Sequence, residues 1–295
     1  MAYVTTNDGV KLYYEESGSG FPVIFVHEFA GDYRSWEQQV KFFSGKYKTI
    51  TFNARGFTPS EIPKDVESYS QDIALQDLVN VIKELSIAPC HVVGLSMGGF
   101  AALYVGMKYP ELTRSIVVAG CGYGSVIEQQ PNFRKEALEV ARRFRTEDMK
   151  DFGKVYTAGP TRVQLERKNP AEYNKFVNNF LEHSSEGCAL TMEGLQSARP
   201  SIYEFEDELS NMRVPTLILT GDEDEPCLEP GIFMKRKIPT SALVTFPNAG
   251  HLINLEEPEM FNNLVQNFIN QVDEGNWPIR DERSKSNSAL LGEDS

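Results

Sequence analysis

Cys90-His91-Val92-Val93-Gly94-Leu95-Ser96-Met97-Gly98-Gly99 is the stretch that most narrows what this chain can become. The apolar residues before Gly94 suit a buried strand. After Ser96 come two glycines and then Phe100-Ala101-Ala102-Leu103-Tyr104-Val105, which suits a helix packed on a sheet. Gly94-x-Ser96-x-Gly98 therefore reads as strand, sharp corner, helix. Such a corner leaves no room for side chains two positions to either side of the serine, so both are glycine. It projects the hydroxyl above the sheet edge. It also sets the serine at a helix N-terminus, where free N–H groups favour developing negative charge. Alone, the pattern equally fits a glycine-rich turn with an incidental serine, and the rest of the chain decides.

Around this corner the chain alternates strands and helices. An Asn7-Asp8-Gly9 turn predicts a hairpin of Tyr3–Thr6 with Val10–Glu16. Pro22–Val26 is a short strand ending at His27, and Lys48–Asn53 is another. Helical spacing runs through Trp36, Val40 and Phe43, and again from Ser70 to Leu85. Ser115–Ala119 is the next strand. This alternation calls for a mostly parallel sheet with helices on both faces.

From about Gly122 to Asn211 the alternation stops. Asn132–Phe144, Thr161–Lys168 and Pro170–His183 read as helices, with glycine and proline between them. Strands resume at Val214–Thr220 and Ala242–Phe246, and Pro258–Gln271 is the last helix. Residues 122–211 are thus an insertion in a core made of 1–121 and 212–273. They are expected to cap the carboxyl edge of the sheet, where ligands bind in open α/β folds. The polar segment 274–295 is expected to be disordered.

Composition excludes some classes of function. Among 295 residues the formal net charge is −13, which disfavours a phosphate-rich nucleic-acid partner. The four cysteines, Cys90, Cys121, Cys188 and Cys227, show no C-x-x-C metal spacing, and buried free thiols are the expectation. Met1 to Asp8 show no basic region followed by an apolar run, and no apolar run is long enough to span a bilayer. The expected location is the reduced cytoplasm. Arg134, Arg142, Arg143 and Arg145 read as a solvated face, and Trp36 with Phe42-Phe43 as core.

A serine hydroxyl needs a base within hydrogen-bond reach and a third group to orient that base. Of the four histidines, His91 lies inside the central strand and reads as structural. His183 ends a helix of the insertion and reads as solvated. His27 ends a strand at the correct edge and would shape the site. His251 follows Pro247-Asn248-Ala249-Gly250, beyond the last strand, and is the candidate base. The acid should come from Gly221-Asp222-Glu223-Asp224-Glu225-Pro226, after a buried strand. A solvated charge run is the ordinary reading of such a stretch. Its position at the edge that carries Ser96 favours Asp224, with Asp222 as the alternative. Oxyanion donors should be the Met97 N–H and that of Glu28 or Phe29, worth about 2.7–4 kcal/mol each in the transition state.

From the hairpin to about residue 272 the chain resembles the α/β-hydrolase superfamily, in its capped, cofactor-free branch of esterases, enol-lactonases, carbon–carbon bond hydrolases and haloperoxidases. Five ordered motifs carry the likeness. Val26-His27-Glu28-Phe29-Ala30-Gly31 resembles the oxyanion loop. Asn53-Ala54-Arg55-Gly56-Phe57-Thr58-Pro59-Ser60 resembles an Asp-x-Arg-Gly-x-Gly-x-Ser stretch. Gly94–Gly98 matches the nucleophile elbow. Gly221–Asp224 matches Gly-x-x-Asp, which carries the acid role to Asp224. Gly250-His251, with Glu256 and Pro258, matches the histidine loop. The resemblance implies an eight-stranded sheet. Glu28 stands where the family has glycine, which favours Phe29 as the second donor and requires Glu28 to point away or be paired. Asn53 and Thr58 also depart from the pattern, in a turn that is structural.

What the resemblance implies is hydrolysis of a small carboxylic ester or lactone through an acyl-enzyme, with no metal or organic cofactor and no nucleic-acid or membrane partner. A homodimer is compatible with the sequence. The same triad would serve carbon–carbon cleavage of a vinylogous diketone, or a ligand receptor with slow turnover. Relatives that open haloalkanes or epoxides carry aspartate at the elbow, where this chain has Ser96.

Overall fold

The computed structural model describes residues 2–285. Its strands are β1 (Ala2–Thr5), β2 (Lys11–Ser17), β3 (Phe21–Val26), β4 (Tyr47–Phe52), β5 (Cys90–Leu95), β6 (Thr113–Ala119), β7 (Thr216–Gly221) and β8 (Ser241–Phe246). They form one eight-stranded sheet in the order β1-β2-β4-β3-β5-β6-β7-β8. β2 pairs antiparallel with β1 and β4, and every pairing from β4 onward to β8 is parallel. The helices of the first half are α1 (Glu37–Phe43), α2 (Gln71–Glu84) and α3 (Met97–Lys108).

Both faces of the sheet are covered, so the central strands carry apolar residues on both sides rather than on one. Phe25, Val93, Val117 and Leu217 pack on one side with Trp36, Phe43 and the last helix. Their sequence neighbours Ile24, Val92, Ile116 and Ile218 pack on the other with Leu78, Ile82 and Leu103. Ser70 caps α2 by accepting the Ile73 N–H at 3.1 Å, and so fixes where that helix begins.

Between β6 and β7 the chain is helical and contains no strand. It forms α4 (Gln130–Thr146), α5 (Met149–Thr157), α6 (Val163–Lys168), α7 (Pro170–Phe180), α8 (Ser185–Leu190) and α9 (Glu206–Asn211). A π-helical turn, Thr191–Gln196, continues α8. Two glycines seat this block on the core. A Cβ at Gly187 would lie 2.0 Å from the Gly56 carbonyl oxygen, and one at Gly194 2.4 Å from that of Tyr69. Arg142 and Arg143 pair with Glu139 and Glu147 on the outer surface, as a solvated face requires.

After β7 come α10 (Glu225–Lys237), the short α11 (Ile253–Glu256) and α12 (Pro258–Asp273). α10 was hidden in the sequence by its acidic start and by Pro226 and Pro230. Pro226 occupies the first turn, where a missing N–H costs nothing.

Some expectations change. Phe42 is 39% exposed, because α1 turns Gln39 and Phe43 inward and leaves the neighbouring position 42 on its outer side. His183 is buried, with its ring edge-on to Phe57 and Nε2 3.4 Å from Asp32. The polar segment after α12 is not free along its length. Trp277 stacks edge-on to Phe268 and its Nε1 donates to the Thr240 carbonyl at 2.7 Å, and Arg280 N donates to Pro239 O. Residues 286–295 of that segment lie outside the described residues. Among the described residues no helix is long and apolar enough to cross a membrane.

The Arg55 turn is structural, as expected. Its guanidinium is buried and pairs with Asp77 and Asp8. Asn53 accepts the Tyr33 N–H at 2.8 Å and donates to Thr58 O at 2.7 Å, closing the loop without an acid.

Candidate active site

Ser96 sits between β5 and α3 with φ 54° and ψ −112°, a conformation that L side chains resist. Its neighbours hold it there. Ser96 N donates to Ala119 O at 2.8 Å. A Cβ at Gly94 would lie 2.0 Å from Gly98 O, and one at Gly98 2.0 Å from Val26 O. The glycines thus let the corner close on itself and press against the end of β3. That contact brings the β3 loop, His27 to Phe29, beside the start of α3.

Met97 is the first residue of α3, so its N–H has no partner within the helix. Among the described residues neither the Met97 nor the Phe29 N–H makes a hydrogen bond. Two unengaged donors therefore flank the elbow. His27 is buried behind them and does not line the cavity over Ser96. Its Nδ1 bonds Glu28 O at 2.7 Å and its Nε2 accepts from Ala54 N at 3.0 Å, so it fixes the loop from the rear. Burial pushes its pKa down, against the pull of the Glu28 carbonyl, which keeps it neutral.

Asp224 and His251 come from the loops after β7 and β8. Gly221 lets those loops touch, since a Cβ there would lie 2.1 Å from Gly250 O. His251 Nδ1 and Asp224 Oδ2 are 2.8 Å apart, and both side chains are buried. Burial lowers the His251 pKa, but the charge and hydrogen bond of Asp224 outweigh it, and the balance is upward. Burial likewise raises Asp224, and His251 reverses the sign. The other acids of the run do different work. Asp222 accepts the Ala249 N–H at 2.9 Å, and Glu223 meets Gln164 of the insertion. Glu256 accepts the N–H groups of Gly250 and Leu252 at 2.6 and 2.9 Å and clamps the histidine loop. Gly120, at φ +49°, leaves space for the imidazole, because a Cβ there would lie 3.3 Å from its Cε1.

Ser96, Asp224, His251, Glu28 and Phe29 line one cavity of about 670 Å³, counted out to its mouth. The insertion supplies the opposite wall, including Val140, Tyr156, Met192 and Gln196. Among the described residues no hydrogen bond joins Ser96 to His251. A narrower cavity behind the elbow, lined by Arg55, Asp77 and Met97, touches none of the three.

Asp224, Cys227 and His251 place donor atoms within 4.8 Å of one another. They fit a metal poorly. Asp224 is engaged with His251, and burial holds the Cys227 thiol far above the range in which a thiolate forms. All four cysteines are free and buried.

Glu28 does not point to solvent. It is buried, and its Oε2 accepts from Arg162 Nη2 at 2.9 Å, so the extra charge in the oxyanion loop is paired. Nothing in the motif around residue 28 announced a partner from a helical segment 134 residues away. Arg162→Met should cost about 3–5 kcal/mol in urea unfolding, because it leaves a buried carboxylate alone. The double change Glu28→Gln with Arg162→Met should recover most of that loss. Equal loss in the single and double variants would show the pair to be inert.

A family model described as alpha/beta hydrolase fold matches residues 22–258. The chain is 24% identical over 275 residues to 3-oxoadipate enol-lactonase 1 of Acinetobacter baylyi, covering 91% of this chain and 97% of that one. It is 25% identical over 289 residues to epoxide hydrolase 3 of Xenopus tropicalis, covering 91% and 77%. A thermophilic esterase of Thermogutta terrifontis superposes with a TM-score of 0.80 at 26% identity, covering 92% of this chain and 98% of that one. All three relatives are hydrolases. With its eight-stranded sheet and a family match spanning most of its length, this chain belongs to the α/β-hydrolase fold family.

Proposed function

We propose that this chain hydrolyses a carboxylic ester or lactone through an acyl-enzyme, with Ser96, His251 and Asp224 as its triad. The observation that carries the reading is the 2.8 Å contact of Asp224 with His251 Nδ1 beneath the cavity that holds the strained Ser96. Ser96 Oγ attacks the carbonyl carbon while His251 Nε2 takes its proton. The Met97 and Phe29 N–H groups receive the oxyanion. Collapse breaks the acyl C–O bond, and His251 returns the proton to the departing oxygen. Water, deprotonated by the same imidazole, then attacks the acyl-serine, releases the acid and restores the hydroxyl. The enol-lactonase and esterase relatives support this bond type. The hydroxyl at the elbow favours it over epoxide opening.

A serine-directed fluorophosphonate, run beside a panel of short esters and lactones, tests the proposal. Label should fall on Ser96, and Ser96→Ala should abolish it and lower kcat by about 10⁶-fold. Undiminished turnover in that variant would refute the assignment. A vinylogous diketone cleaved faster than every ester would move the reading to carbon–carbon hydrolysis.

The pH profile is a second check. The base must be neutral to accept a proton, so kcat/KM falls as pH drops through the His251 pKa. Because that pKa is raised above 6.5, the acid limb should have its midpoint above 6.5. A midpoint below that value would contradict the Asp224–His251 coupling.

A further inference from the structure

Three arginines are buried among the described residues: Arg55, Arg162 and Arg199. Arg55 is held by Asp77 and Asp8, and Arg162 by Glu28. Arg199 is 7% exposed and has no carboxylate partner among the described residues. Its one hydrogen bond runs from Nη2 to the Tyr123 carbonyl at 2.7 Å. An uncompensated buried charge is costly, and native chains rarely keep one without a use for it.

The guanidinium is nonetheless firmly placed. Its Cζ sits over the Phe100 ring, 3.5 Å from the ring centre, with the Phe133 centre at 5.9 Å. It also lines the same cavity as Ser96 and His251. Burial pulls its pKa down to about 10, so it stays cationic at neutral pH. None of the acids that line the cavity pairs with Arg199. Asp224 is taken by His251, Glu28 by Arg162, and exposed Glu136 at the mouth by the Tyr123 hydroxyl at 2.9 Å. A bound anion would supply the counter-charge that Arg199 lacks.

We infer that the substrate of this site carries a carboxylate that seats against Arg199, so the enzyme selects anionic esters over neutral ones. This rests on the proposed ester hydrolysis in the same cavity. A planar guanidinium fixed by an aromatic ring is preorganised for a two-pronged grip on a carboxylate. The apolar walls, Phe29, Tyr156, Val140 and Met192, would take the hydrocarbon between that carboxylate and the ester. Arg199 is then a specificity residue.

The test is calorimetric binding to the full chain carrying Ser96→Ala, so that probes are not consumed. Monophenyl pimelate is compared with phenyl heptanoate, which places the charge on the acyl side. 4-Acetoxybenzoate is compared with phenyl acetate, which places it on the leaving-group side. In one pair the charged probe should bind about 10- to 100-fold more tightly. Adding Arg199→Gln should cut that ratio to within about 3-fold, and Arg199→Lys should leave an intermediate ratio. Equal binding of charged and neutral probes in both pairs would overturn the inference, as would a ratio unmoved by either substitution. If Arg199→Gln does not fold, the ratio in the Arg199→Lys variant decides. Labelling of wild-type Ser96 separates the two readings. Label without charge discrimination defeats only this inference, and discrimination without label defeats only the hydrolase proposal.

Discussion

Asp224→Asn is expected to lower kcat about 10⁴-fold, whereas Asp222→Asn should leave it within about 10-fold. The two acids are two residues apart in one loop, yet the fold gives them unlike tasks. Asp224 is buried and meets His251 Nδ1 at 2.8 Å. Its amide replacement can present an N–H to that nitrogen and hold the wrong tautomer, leaving Nε2 without a free lone pair for the serine proton. Asp222 is exposed and accepts the Ala249 N–H, a contact that an asparagine oxygen also makes. The acid limb of the pH profile should fall in the Asp224 variant, since the charge that raises the His251 pKa is gone. Stopped-flow hydrolysis of an activated ester by both variants measures the contrast. A crippled Asp222 variant beside an active Asp224 variant would reverse the assignment.

Gly98→Ala should remove the folded, active state, with a loss above about 4 kcal/mol. The new methyl would sit 2.0 Å from the Val26 carbonyl oxygen, a backbone atom with no rotamer to change. Relief would require β3 and α3 to part, which opens the sheet beside the nucleophile and separates Met97 from Phe29. Gly94→Ala meets Gly98 O at the same 2.0 Å and should behave alike. Gly45→Ala is the control, because nothing lies within 4 Å of its added carbon. Urea unfolding followed by tryptophan fluorescence and far-UV dichroism compares the three. A stable Gly98→Ala protein would mean the elbow is looser than these distances require.

Much of the fold was legible because its signals are local. The Cys90–Leu95 strand is an apolar run, the elbow glycines report crowding within a few residues, and Ser70 caps its own helix. The residues placed at the site were legible for a related reason. Each follows a strand that ends at one edge of the sheet, so Ser96, Asp224 and His251 could be brought together by topology alone. What was hidden depends on contacts across long separations. Arg162 lies in a short helical turn and Arg199 in the link that follows the π-helical turn, and the polar pattern around each gives no sign that its head turns inward. His183 looked solvated because burial beside Phe57 and Asp32 is set by how the insertion lies on the core. The π-helical turn, which aims Met192 and Gln196 at the cavity, has no compositional marker at all.

The pairing of Glu28 with Arg162 also bears on how such enzymes can be recombined. A chimera that keeps this sheet but borrows the helical block of another family member would import a wall without the matching cation. Residue 28 would then hold an orphan charge beside the two amides proposed as oxyanion donors. Shuffling designs should therefore exchange position 28 together with the helices, as one inherited unit.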